Sequence, residues 1–473
     1  MNTKSLKQKI LDLAIRGKHV PQDPNDEPAS VLLQRIRAER EQLIVQGKIK
    51  RTKTTSDNQH YENVPFEIPE SWAWTTIKDI CSKIGSGSTP RGSNYAPSGI
   101  PFFRSQNVYD EGLVYDDIKY ISPEVHKGMI NTEVIANDVL LNITGGSLGR
   151  CAIVPSDFTI GNVSQHVCIL RPIYVLSEYL HFFCLSSFFA RTMVISGSGR
   201  EGLPKYSLEK MQIPIPPLSE QKRIVAEVEK WYSVIDEIEA NKSELQECIK
   251  QAKSKILSLA ISGKLVPQNQ NDEPAIELLK RLNPHFTPCD TSHYENLPVG
   301  WIVCRLKQVT SIARGGSPRP IKSYLTTDES GINWIKIGDS EKGGKYINQT
   351  AQKIIPDGIK YSRFVHKGDF LLSNSMSFGR PYILNIDGCI HDGWLVISPI
   401  ENVYDKEFLY HLLSSTYAYD QFAEQASGTA VSNLNIDRVA NAVFPIPPLA
   451  EQKRIVAALE KVFSQLDNIT AEL

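Results

Sequence analysis

The sequence predicts a mixed α/β (α+β) protein. Two similar domains are separated by two long helical spacers that pair as an antiparallel coiled coil, and the whole forms a circular repeat with pseudo-two-fold symmetry. Three observations predict this. PIPPLSEQKRIVAEVEK (214–230) matches PIPPLAEQKRIVAALEK (445–461) at 14 of 17 positions. KQKILDLAIRGKHVPQDPNDEPASVLLQR (7–35) matches KSKILSLAISGKLVPQNQNDEPAIELLKR (253–281) at 20 of 29. With the first word called A and the second B, the chain reads B, domain, A–B, domain, A, so its two ends together make a second copy of its middle. Finally, apolar residues recur in steps of four and three through the joined A–B stretch, the 3.5-residue period of a coiled coil.

The elements follow in order. Residues 1–59 form an N-terminal helical segment and linker: a helix over 4–15 ending at Gly17, the turn-rich connector PQDPNDEP (21–28), a second amphipathic helix over 29–46, and a basic polar stretch, GKIKRTKTTSDNQ (47–59). A first domain (60–212) and a second (285–443) share one grammar. Each opens on HYEN with a later Pro and Trp (Pro69 and Trp72; Pro298 and Trp301). A Gly/Ser loop with proline follows: GSGSTPRGSNY (85–95) and RGGSPRPIKSY (314–324). Next come a strand with polar residues after it, IPFFRSQNV (100–108) and INWIKIGD (332–339), and a β-rich stretch, NDVLLNITGGSLGRCAIV (137–154) and KGDFLLSNSMSFGRPYIL (367–384). A helix (177–187; 406–416) and a last Gly/Ser loop (196–211; 426–439) close each domain.

Between the domains lies the central spacer, 213–284, and after the second comes the C-terminal spacer helix, 444–473. Pro216 and Pro217 bar a helix before Leu218, Ser219 is placed to cap one, and Gly263 and Pro267 end it. A helix over 219–262 is roughly 65 Å long at about 1.5 Å per residue, more than a compact domain needs. Its seam, Ile224, Val228, Trp231, Ile235, Ile238, Lys242, Leu245, Ile249, Ala252, Ile256 and Leu259, therefore requires a partner. The chain supplies one in Ile455, Leu459, Val462, Leu466, Ile469 and Leu473 together with Leu6, Ile10 and Leu13.

Composition narrows the function. Net charge is −1, and the domains carry 12 Lys+Arg against 15 Asp+Glu (61–212) and 15 against 16 (285–440), which argues against tight autonomous binding to phosphate backbone. The eight cysteines form no CxxC pair or zinc-spaced cluster and read as free thiols of a cytoplasmic protein. No apolar run is long enough for a membrane span. GSGREG (197–202) fits G-x-G-x-x-G, but Leu203–Pro204 follows and no βαβ unit surrounds it, so a loop facing a ligand, or a plain turn, fits better than a dinucleotide site. There is no P-loop and no Asn- or Asp-Pro-Pro-aromatic motif. His60, His126, His166, His293, His366 and His391 are scattered and read as structural or solvent-facing. The expectation is a chain with no active site, no metal and no cofactor of its own.

With these words in view, the sequence resembles the DNA-specificity subunits of type I restriction-modification systems over essentially its whole length. PIPPLSEQKRIV and PIPPLAEQKRIV, each closing a domain and opening a long helix, carry the resemblance most specifically. The 138–150 and 368–380 runs ending in SLGR and SFGR, and the circular order, add to it. The resemblance implies that each domain is a target-recognition domain reading half of a split, asymmetric double-stranded DNA target, with the helices as ruler between them. It implies two adenine-methyltransferase subunits and two motor-nuclease subunits as partners, which would use S-adenosylmethionine, ATP and Mg2+. Residue types that bond base edges or phosphates, placed on the loops, are then the DNA-contact candidates: Ser88, Arg91, Asn94, Arg104, Gln106, Asn107, Arg150 and Arg200 in the first domain. In the second they are Arg314, Ser317, Arg319, Lys322, Lys336, Lys342, Asn374 and Arg380. Arg150 and Arg380, in matching S-x-G-R turns, serve equally well as structural groups. The competing reading is a coiled-coil scaffold that binds proteins through its paired domains.

Overall fold

The computed structural model describes residues 2–49, 64–90, 92, 94–193, 202–289, 297–341, 343–374, 379–423, 434 and 436–473. The chain forms two compact units, Met1–Asn241 and Lys242–Leu473. One uninterrupted helix, Leu218–Ile261, belongs to both, giving its residues up to Asn241 to the first and the remainder to the second. Each unit is therefore B, domain, A, and the circular repeat of the sequence becomes two linear copies.

In the first unit, the helix Thr3–Ala14 runs antiparallel to the start of the central helix: Thr3 bonds Glu239, Lys7 pairs with Asp236, and Gln22 reaches Glu220. In the second, the helix Leu449–Glu472 runs antiparallel to its end, with Lys242 bonded to the backbone of Leu473 and Lys253 paired with Asp467. Both pairings have the predicted direction. The seam differs from expectation. Ile224, Val228, Ile235 and Ile249 are buried, but Trp231, Ile238 and Leu245 are 40–42% exposed. Leu257, Ala260 and Ile261 are buried instead of a strict three-four row, as are their repeats Leu11, Ala14 and Ile15. The physical reason is that each helix end packs on a domain as well as on a helix, which widens the buried stripe beyond the narrow seam of a free coiled coil.

Ser219 also departs from expectation. It lies inside the first turn and donates its hydroxyl to Asp26, while Pro217 precedes the helix and its carbonyl accepts from Gln221.

Two small four-stranded sheets build the first domain. One has the strand order Lys119–Ile121, Ile100–Phe103, Gly161–Val163, Glu133–Val134, and the other Cys81–Ser86, Val167–Pro172, Val139–Asn142, Cys151–Ile153. Phe103, Leu140, Val163 and Ile169 fill the core between them. The second domain repeats this with five strands in each sheet. Both domains contain a parallel pair, Ile100–Phe103 with Gly161–Val163 and Ile332–Ile335 with Gly388–Ile390. Both are closed by an antiparallel pair that ties their first strand to the strand leading into a long helix: Ala73–Thr76 with Gln212–Ile215, and Ile302–Arg305 with Val443–Ile446.

The repeated words weld helix to domain. Glu220, fully buried, accepts from Trp72 Nε1 at 2.9 Å and Gln22 Nε2 at 2.6 Å, and Glu451 accepts from Trp301 at 3.0 Å and Gln268 at 2.8 Å. Gln221 takes the backbone N–H of Leu176 at 3.0 Å; Gln452 takes that of Asp405 at 2.7 Å. Arg223 pairs with Asp26 at 2.5 Å and Arg454 with Asp272 at 2.6 Å. Gly17 and Gly263, at φ 67° and 69°, end the B helices where a Cβ would stand 2.4 and 2.3 Å from the rings of Pro69 and Pro298. EQKR in A, G-K-x-V-P-Q and NDEP in B, and Pro and Trp at the domain entry are thus one interlocking set, which explains why they recur together.

Candidate nucleic-acid interface

In each unit, polar loops gather at the end of the parallel strand pair. In the first, Ser88 N bonds Val163 O at 3.2 Å, Ser164 N bonds Phe103 O at 2.9 Å, and Asn142 Nδ2 bonds Ser105 O at 2.9 Å. Thr89 Oγ1 donates to Gln165 Oε1 at 3.0 Å, and Thr144 Oγ1 lies 2.7 Å from His166 Nδ1. Leu203 N, bonded to Ile143 O at 2.8 Å, brings the chain at 202–203 to the same place. The second unit repeats the cluster through Gly316 N to Ile390 O (3.1 Å), Asn374 N to Gly393 O (3.0 Å), Ser317 Oγ to Asp392 Oδ1 (2.9 Å) and Leu434 N to Asn374 O (3.1 Å).

Glycine is required at the heart of both clusters. A Cβ on Gly87 would lie 1.8 Å from Val163 O, and one on Gly315 2.2 Å from His391 O. The loop lies flat on the neighbouring strand end, and no side chain fits between them.

The candidates divide by environment. Ser88, Asn94, Gln106, Arg314, Arg319 and Lys322 are exposed, and Arg104, Arg150, Lys336 and Arg380 are half-buried. Arg104 Nη2 donates to the backbone oxygen of Asp117 at 2.6 Å and to its carboxylate at 3.1 Å, and Gln106 donates to the same carboxylate at 3.2 Å. Hydrogen bonds and ion pairs from Lys119 and then Arg104 hold the Asp117 carboxyl down at about 2. Lys336 occupies the equivalent turn, its N–H bonded to Asp339 at 2.7 Å. Arg150 lies over the Tyr109 ring at 4.7 Å and Arg380 over Tyr382 at 5.6 Å, so both guanidinium planes are oriented by an aromatic face. Arg319 and Lys322 have no ion-pair partner among the described residues.

Two candidates are corrected. Asn107 is fully buried; its amide donates to Val114 O and Asp116 O and accepts from Arg104 N. Asn374 is 4% exposed and its amide donates to Asp392 O at 2.9 Å. Both shape the loops from inside rather than face a ligand, because a buried amide is stable only with its bonds made. Ser317 is half-buried and committed to Asp392. Arg91, Arg200 and Lys342, and GSGREG apart from Gly202, lie outside the described residues.

The residue reading missed Thr89, Gln165 and Asp392, and it placed His166 and His391 among the structural or solvent-facing histidines. A signal for the last four was present: SQH (164–166) and HDG (391–393) are short polar breaks inside apolar runs, GNVSQHVCIL and GCIHDGWLVI. Among the described residues no group of three or more His, Cys, Asp or Glu could hold a metal, and no described helix is long and apolar enough to cross a membrane.

Residues 69–247 and 298–473 each match the family model for the type I restriction modification DNA specificity domain. The chain is 28% identical to the type I restriction enzyme EcoEI specificity subunit of Escherichia coli, over 99% of this chain and 90% of that one. It is 26% identical to the EcoAI specificity subunit of the same species, over 98% and 90%. Among solved structures, it resembles a chain from a study of complex assembly and conformational transition of the type I R-M system, with TM-score 0.62, 20% identity, and coverage of 86% and 94%. The HsdS subunit of Thermoanaerobacter tengcongensis matches with TM-score 0.50, 20% identity, and coverage of 86% and 93%. The interlocked Trp–Glu–Gln welds and the doubled loop cluster are the form this architecture takes here: the chain belongs to the type I restriction-modification DNA specificity family.

Proposed function

We propose that this chain is the non-catalytic subunit that gives a type I restriction-modification enzyme its sequence specificity, and that it reads a bipartite, asymmetric double-stranded DNA target. The observation that carries the reading is the doubling of one loop cluster in two units that share one uninterrupted helix. The frame residues recur almost unchanged, whereas the loop residues differ: Ser88, Asn94, Arg104 and Gln106 against Arg314, Arg319, Lys322 and Lys336. Frames that recur and faces that diverge suit two readings of different half-sites by one fold.

Catalysis then belongs to partners: two adenine-methyltransferase subunits, and two motor-nuclease subunits in the full complex, using S-adenosylmethionine, ATP and Mg2+. They also account for the near-neutral charge of this chain, since cationic surface for the phosphate backbone can come from them.

The test is a map of methylated adenines in the host genome with and without this gene. A motif of two defined parts around a fixed gap, lost on deletion, is the expected result. A methylation pattern unchanged in a strain shown to methylate would overturn the reading and favour a protein-binding scaffold.

A further inference from the structure

On the first unit, away from the loop cluster, an open pocket of about 410 Å3 lies between the helix Ser177–Leu185 and the central helix. Glu178, Glu229 and Asp236 line it, with Phe182, His181 and Tyr232 forming its rings. Asp110 and Glu111 add their negative field at His181. Among the described residues neither Glu178 nor Glu229 has an ion-pair partner, and Asp236 pairs with Lys7, which sits 5.2 Å from the Tyr232 ring.

The internal repeat shows what such a place holds. SEYLHF (177–182) corresponds to KEFLYH (406–411), and EKWYSVID (229–236) to EKVFSQLD (460–467), so Glu178, Glu229, Tyr232 and Asp236 have Glu407, Glu460, Phe463 and Asp467 as counterparts. The second unit keeps the inner pair, Lys253 with Asp467, 5.5 Å from the Phe463 ring. It then adds a second cation. Lys345 pairs with Glu407, lies over the rings of Tyr410 at 4.8 Å and Tyr346 at 5.4 Å, and is attracted by Glu460. Lys345 arrives on the segment after the Lys336–Asp339 turn. The segment after the corresponding Arg104–Asn107 turn in the first unit brings Asp110 and Glu111 instead, a reversal of charge.

We propose that the pocket on the first unit is a receptor for a lysine or arginine side chain of a protein partner, a site that the second unit fills with its own Lys345. Aromatic faces with carboxylates around them select a cation on a long apolar stem over a free metal ion. The inference does not rest on the DNA reading, since none of its residues belongs to the loop clusters.

The experiment titrates the full chain at low ionic strength with the blocked tripeptide glycyl-lysyl-glycine, followed by NMR, with the acetyllysine form as control. One saturable site is expected, weakened at least about tenfold in a Glu178→Gln/Glu229→Gln chain and absent for the acetylated peptide. Lys345→Ala should add a second site of similar strength. Equal binding by the native and double-variant chains, or none by the native chain, would overturn the proposal. Should Lys345→Ala fail to fold, the Glu178/Glu229 comparison decides alone, with unchanged thermal unfolding as its folding control.

Discussion

A buried carboxylate is tolerated only while donors face it, and Glu220 and Glu451 each have a Trp N–H and a Gln amide for that purpose. Burial nevertheless pushes both carboxyls above their ordinary 4.5, outweighing those bonds. Trp72→Phe, which keeps the ring and deletes one donor, should cost about 1–3 kcal/mol of stability, read by denaturant unfolding. The raised values also fix a pH dependence. A group protonated more readily when folded contributes stability that is complete below its unfolded value and lost as pH rises through its folded value. The native chain should therefore gain on Glu220→Gln as pH falls from about 7 toward the ordinary carboxyl range, seen as a rise in the native Tm relative to that of the variant. A flat difference would mean that Glu220 is not protonated more readily in the folded chain. At the interface, Arg104→Ala should cost roughly 1–3 kcal/mol at one half-site if the side chain exchanges Asp117 for a base; a uniform loss across unrelated sequences would assign it to phosphate.

Loops held by backbone contact have little freedom to absorb a new atom. Gly87→Ala and Gly315→Ala place a methyl group inside the contact radius of a carbonyl oxygen, at 1.8 and 2.2 Å, so the loop must lift from its strand end. If each cluster reads one half-site, each substitution should weaken binding about tenfold or more at its own half-site and leave the other unchanged, measured on duplexes altered in one half at a time. The isolation is expected because the two loop clusters lie in separate units with separate cores.

One helix of 44 residues serves both units, which makes its length a property of the whole molecule. If it sets the separation of the half-sites, one added helical turn (about 5.4 Å) in the central helix and in the helix paired with it should shift the preferred gap by about one or two base pairs. An unchanged gap would remove the helix from that role. Trp231 and Ile238, exposed at 42% and 40%, are apolar surface on this helix.

By itself the sequence determined the repeat, the antiparallel helix pairing, the two mixed α/β domains and the family. All of these rest on local periodicity or on words long enough to be matched by eye. The reason that EQKR, G-K-x-V-P-Q, NDEP and Trp recur together was not legible, because their bonds join residues about 150 to 200 positions apart, such as Trp72 with Glu220 and Asp26 with Arg223. The candidate interface was legible as loops but not as atoms. Asn107 and Asn374 are amides able to bond a base edge, yet the turn geometry commits them to backbone, and Gln165 and Asp392 reach the cluster through a strand end that no spacing rule marks. Whether a polar side chain faces outward depends on which backbone groups nearby remain unpaired once the strands have met. Only the tertiary structure decided that.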